Sequence, residues 1–283
     1  MATEQVVATR ARQSNQTAWF LPREHGATAM LFTPIVCAAI LSRTWHWTEL
    51  ATLTAAFAAL AAKDPMVVLA RQRFVWKQWH PETTAAIRWF TGWMLLLILS
   101  GLVLLAAWPF IATVCLGLGV AAFSVLAIAI NVKNRQRSTL FQIASAIALT
   151  SSSLAMSLSA TGGIAPWCWW LWPLLALQAT AGILIVHARL DARIALRSTA
   201  VPRENYRRAA QLSVVALASA AVAAIAFHRS FIALALVIAA LGYAYDLHRQ
   251  RNAASLQLPL KSVGQQALAL SSFYAILLII GLW

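Results

Sequence analysis

The chain holds only eight acidic residues in 283 positions, so the place of each one carries information. Glu4 lies in the N-terminal segment, Glu49 opens an apolar run, and Glu82 and Glu204 fall in polar loops. The other four, Glu24, Asp64, Asp191 and Asp246, stand near the ends of long apolar runs. An ionisable side chain inside a membrane helix costs about 2.5–3.5 kcal/mol on insertion scales, so Lys63-Asp64 needs a partner or a water-filled cavity. Two readings stay open for it: a functional carboxylate, or a neutralised pair at a helix end broken by Pro65.

The segment from His187 to Arg197 repeats with a four-residue spacing. On a helix, Arg189, Arg193 and Arg197 form one stripe, and His187 and Asp191 share an adjacent face. A basic stripe at a membrane surface can hold phosphate or pyrophosphate by charge-assisted hydrogen bonds. It suits anionic lipid headgroups or a topology signal equally well. His187 with Asp191 matches the makeup of a general base and its orienting acid, although no nucleophile accompanies them. Cys37, Cys115 and Cys168 lie far apart with no metal-ligand spacing. Between 140 and 160 the hydroxyls of Ser145, Thr150, Ser151, Ser152, Ser153, Ser157 and Ser159 crowd one apolar run, which reads first as close helix packing.

The elements that must position these groups follow from composition. Hydrophobic residues make up 61% of the chain and charged residues 11%, against about 25% charge in a soluble domain. The class is an all-α polytopic membrane bundle. Nine runs approach the roughly 20 apolar residues of a spanning helix: 27–42, 47–70, 89–108, 110–131, 140–160, 166–188, 208–227, 231–247 and 261–282. The first is short. No inverted repeat or broken midplane helix is evident. Residues 1–20 read as a flexible tail without the apolar core of a cleavable signal, and 21–283 as one transmembrane domain.

The net charge of +14 belongs to topology rather than to nucleic acid. With nine spans, twenty of the 22 basic residues fall on one side and only Arg43 and Arg229 on the other. This split predicts a cytoplasmic N-terminus and an external C-terminus. Trp45, Trp47, Trp108, Trp167, Trp169, Trp170 and Trp172 gather at the opposite turns, where indole rings sit at the membrane interface.

The segment from Leu21 to Met30 contains Pro22-Arg23-Glu24-His25-Gly26-Ala27 and resembles the Pro-(Arg/Lys)-Glu-His-Gly-Ala signature of the YwiC-like family of bacterial membrane proteins. The stretch from Pro259 to Gln266 is similar to that family's ending. The resemblance implies a bacterial inner-membrane location but brings no activity with it. More distantly, the layout resembles the UbiA-type intramembrane prenyltransferases, which have nine helices and aspartate-rich motifs after the second and sixth. That resemblance implies a prenyl diphosphate with Mg²⁺ at the cytoplasmic mouth. It places Lys63-Asp64 at the first motif, Arg189 to Arg193 at the second, and Lys133 and Arg135 in a diphosphate-gripping segment. Each motif keeps a single carboxylate here, so Asp64 and Asp191 together could hold at most one ion weakly, whereas Arg can clamp phosphate without metal.

The expected function is therefore a UbiA-like membrane protein that binds an isoprenoid or other phosphorylated lipid, or acts as a divergent prenyltransferase. Arg23, Lys63, Lys133, Arg135, Arg189 and Arg193 would grip the anion. Asp64, His187 and Asp191 would supply metal or proton chemistry, with Glu24 and His25 closing the mouth. The alternative is a non-enzymatic transporter or carrier.

Overall fold

The computed structural model describes residues 25–133, 138–197 and 204–283. Helices joined by short turns make up nearly all of these residues, with no strand among them. Low charge and long apolar runs leave no other way to satisfy the backbone inside a bilayer. The elements are α1 (His25–Ser42), α2 (Trp47–Arg71), α3 (Thr83–Ala107), α4 (Phe110–Val132), α5 (Thr139–Thr150) and α6 (Ser152–Thr161). After them come α7 (Cys168–Arg197), α8 (Glu204–Ala226), α9 (Ser230–Arg249), the one-turn α10 (Ala253–Leu256) and α11 (Leu260–Leu282). Taking α5 and α6 as one stretch, eight segments are long and apolar enough to cross a membrane, and Gly26–Ser42 is a shorter apolar helix. The chain is a multi-pass membrane protein. The expected tail lies outside the described residues.

Contacts divide the chain into two compact units. One contains Leu50–Gln136; the other contains Gly26–Glu49 and Arg137–Trp283. In the first unit, α2 does not stop at Pro65. It carries the proline within its length, runs on to Arg71 and passes into a π-helical turn over Gln72–Trp76. Lys77, in the left-handed region at φ 52°, ends that turn. Arg71 Nη2 donates to the Asn131 carbonyl at 3.0 Å, tying the end of α2 to the end of α4. The Thr83 hydroxyl donates to Gln72 Oε1 at 2.6 Å, so the buried amide oxygen is satisfied where α3 begins. Phe57 meets Trp93 edge-on at 5.4 Å, and Trp89 stacks on Trp93 at 5.8 Å.

The second unit is built around α7, which touches α5, α6, α8, α9, α10 and α11. Gln178 in its apolar middle would be costly without partners. Its Nε2 donates to the Tyr243 hydroxyl at 2.7 Å and to Ser271 Oγ at 2.8 Å, joining α7, α9 and α11. The buried Tyr274 hydroxyl donates to the Leu174 carbonyl at 3.0 Å. Gly182 allows the close approach of α9: a Cβ there would lie 3.0 Å from the Tyr243 hydroxyl oxygen.

The hydroxyl-rich span departs from the expected unbroken helix. It is interrupted at Ser151, near the middle of Thr139–Thr161. The local cause is side-chain competition with the backbone. Thr150 Oγ1 donates to the Ala146 carbonyl at 2.8 Å, Ser151 Oγ to Ala148 at 2.7 Å, and Ser153 Oγ to Thr150 at 3.1 Å. Ser152 Oγ instead reaches the Leu31 carbonyl of α1 at 2.9 Å. Thr44 and Thr48 donate to the carbonyls of Ala160 and Ser159 at 3.1 and 2.7 Å. These hydroxyls serve packing. Trp45, Trp47, Trp169 and Trp170 are exposed as an interfacial belt requires, but Trp108 is buried and the Trp172 indole N–H donates to the Ile147 carbonyl at 3.1 Å.

Candidate functional site

Length places the charged end of α7. At 1.5 Å per residue, its 30 residues extend about 45 Å, roughly 15 Å more than a hydrocarbon core. If Cys168 and the exposed Trp169 and Trp170 mark one boundary, the last ten residues reach headgroup depth. That final stretch holds Arg189, Asp191, Arg193 and Arg197, with His187 immediately before it.

Successive i, i+4 positions drift by about 40° on an α-helix, so the arginines do not share one environment. Arg189 turns inward and is 2% exposed. Its Nη2 donates to Asp246 Oδ1 of α9 at 3.1 Å. Asp246 Oδ2 accepts Gln250 Nε2 at 3.2 Å, and the same amide reaches the Ile185 carbonyl at 3.3 Å. The lone carboxylate of α9 and the buried guanidinium of α7 thus satisfy each other, the arrangement a buried charge requires. Arg189 Nε has no hydrogen-bond partner. Arg193, one turn on, is half-buried.

His187 points the other way. Its Nε2 lies 2.8 Å from Gln142 Oε1 of α5, and its ring stacks on Tyr206 of α8 at 5.3 Å with an interplanar angle of 21°. Since an amide oxygen only accepts, Nε2 is the donor in this contact. Asp191 is half-buried, and its Oδ2 is shielded from solvent without a hydrogen-bond partner. The end of α7 therefore carries an imidazole held by Gln142 and Tyr206, a carboxylate oxygen without a hydrogen-bond partner, and two arginines, one already paired.

In the other unit, Lys63 Nζ lies 3.8 Å from Asp64 Oδ1, with both side chains partly exposed, two turns before α2 ends. Lys133 caps the C-terminus of α4 and is exposed. The backbone of His25 opens α1, whereas Arg23, Glu24 and Arg135 lie outside the described residues. Among the described residues, no three His, Cys, Asp or Glu side chains gather in metal-binding geometry. Asp64 is salt-bridged to Lys63, and among the described residues Asp191 belongs to no group of three metal-ligating side chains. This donor set does not fit the several-oxygen coordination that Mg²⁺ bound to a diphosphate requires.

Sequence reasoning did not place Asp246, Gln250, Gln142 or Tyr206 at this site. Asp246 gave a signal, as a carboxylate in the last turn of an apolar span, but Gln142 and Tyr206 gave none.

Comparison with protein families matches residues 21–159 to the YwiC-like protein family, the segment that begins with the Pro-Arg-Glu-His-Gly-Ala stretch. No curated protein and no solved structure matches the chain.

Proposed function

We propose that this chain, YwiC-like over residues 21–159, binds an isoprenoid or other phosphorylated lipid, with its anionic head at the basic end of α7. Its membrane orientation in this reading is the one the charge count predicts, with that end cytoplasmic and the C-terminus outside, in a bacterial inner membrane. The observation that carries the proposal is the pairing of Arg189 with Asp246 beside the half-buried Arg193 and the unsatisfied Asp191 oxygen. Arg189 is internally neutralised and rigid, so Arg193 becomes the side chain placed to meet a phosphate. An oxygen of a phosphate monoester that carries a proton, or a lipid hydroxyl, would donate to Asp191 Oδ2. A UbiA-like layout, with prenyl transfer as its activity, is the enzymatic form of this reading. The donor set supports a metal-free clamp, so His187 would act on a substrate proton through Nδ1, with Gln142 and Tyr206 fixing its ring.

A carrier is the second reading, and the break at Ser151 favours it, because substrates of many transporters bind where a spanning helix is interrupted. Charge reversal tests the first reading. Arg193→Glu should weaken binding of farnesyl diphosphate by at least tenfold, the loss expected for one charge-assisted contact. Unchanged affinity in Arg193→Glu would remove the α7 site.

A further inference from the structure

Beyond Asp246 the chain contains no acidic residue, while His248, Arg249, Arg251 and Lys261 follow within fifteen positions. Asp246 is already paired with Arg189, and its other oxygen accepts Gln250. Among the described residues no carboxylate forms an ion pair with Arg249 or Arg251. Topology alone would account for basic residues in this loop. It does not account for their surrounding a cleft.

A cleft of about 720 Å³ opens here, lined by His248, Arg249, Arg251, Asn252, Ser255 and Leu258 among others. Its walls are held by the loop's own bonds. The Asn252 side chain accepts from the Ala254 N–H at 3.0 Å, and Ser255 Oγ donates to the carbonyls of Asn252 and Arg249. Arg251 N and Asn252 N donate to the carbonyls of His248 and Arg249 at 3.1 and 3.0 Å. The Arg249 guanidinium carbon lies 5.6 Å from the Tyr245 ring centroid, which restrains the side chain beside the cleft. The cleft joins the end of one membrane-spanning helix, α9, to the start of another, α11. That junction puts it at headgroup depth, where basic pockets between spans take anionic lipid heads.

We propose that this cleft is an anion site for the phosphate of an acidic lipid headgroup, with Arg249 and Arg251 as the charge-bearing ligands and His248 and Asn252 beside them. The proposal does not depend on the function proposed for α7. Two guanidinium groups that form no ion pair among the described residues select a phosphate over the zwitterionic headgroup of phosphatidylcholine. A free inorganic phosphate offers the same chemistry without an acyl chain.

The test uses the full chain in phosphatidylcholine nanodiscs, titrated with a short-chain phosphatidylglycerol and, in a parallel arm, with inorganic phosphate. The expected result is phosphatidylglycerol binding that weakens about tenfold in Arg249→Gln and in Arg251→Gln. Lys261→Gln removes the same charge from the first turn of α11, outside the cleft lining, and should bind as the parent does. Saturable binding of inorganic phosphate with the same two-arginine dependence would assign the site to a soluble phosphate compound and keep its chemistry. Parent-like affinity in both arginine variants, or an equal loss in Lys261→Gln, overturns the proposal.

Discussion

Breaking the Arg189–Asp246 pair should have unequal consequences depending on which partner is removed. Arg189 is 3% exposed along its side chain and Asp246 25%. Asp246→Asn leaves a guanidinium enclosed among α7 and α9 with no counter-charge, a change that typically costs about 3–5 kcal/mol. Arg189→Met leaves a carboxylate that still accepts Gln250 and has a quarter of its surface in solvent, so its loss should be smaller, about 1–3 kcal/mol. The double variant Arg189→Met/Asp246→Leu removes both charges and should lie near the parent, because apolar replacement of a buried pair is often neutral or stabilising. Reversible unfolding of the purified protein in mixed micelles, followed by helix content against denaturing detergent, measures all three. Equal losses in the two single variants, or a double variant that loses their sum, would refute the account of Arg189 as a desolvated charge held by one partner.

Gln142→Leu should cost about 1–3 kcal/mol by leaving His187 Nε2 unpaired, and it should change the imidazole's tautomer signature in ¹⁵N spectra. Gly281→Ala should destabilise by about 1–3 kcal/mol, since the new Cβ would lie 2.8 Å from Ile232 Cγ1 and 3.0 Å from its backbone nitrogen. Gly119→Ala has open space around it and should gain up to about 1 kcal/mol from helix propensity, so comparing the two melting curves isolates the clash. A reporter fused after Trp283 should be active only outside the cytoplasm, and cytoplasmic activity there would contradict the nine-span topology.

Much of the fold was legible because one physical demand, burial of the backbone in hydrocarbon, acts on every span alike. The apolar runs report it, and even the shortness of α1 shows in the sequence. What escaped depends on partners distant in the chain. Whether Arg189 faces solvent or core is decided by Asp246, 57 residues away, and the place of His187 by Gln142, 45 residues away. A four-residue repeat shows a stripe, but the drift of that stripe around α7 sends Arg189 and Arg193 into different environments. Pro65 was a poor stop signal because a helix can carry a proline when surrounding structure offsets the lost bond. The interruption at Ser151 was hidden for the opposite reason, since no proline or glycine marks it. Only hydroxyls competing for the carbonyls of Ala146, Ala148 and Thr150 do so.

The most direct test of the central claim is the thermal stability of the purified protein with farnesyl and geranylgeranyl diphosphate, each with Mg²⁺ and with a chelator. A metal-free clamp at the end of α7 predicts stabilisation by both ligands that survives chelation and disappears in Arg193→Glu. No stabilisation under any condition would contradict binding of a prenyl diphosphate, and stabilisation only with Mg²⁺ would contradict the metal-free clamp.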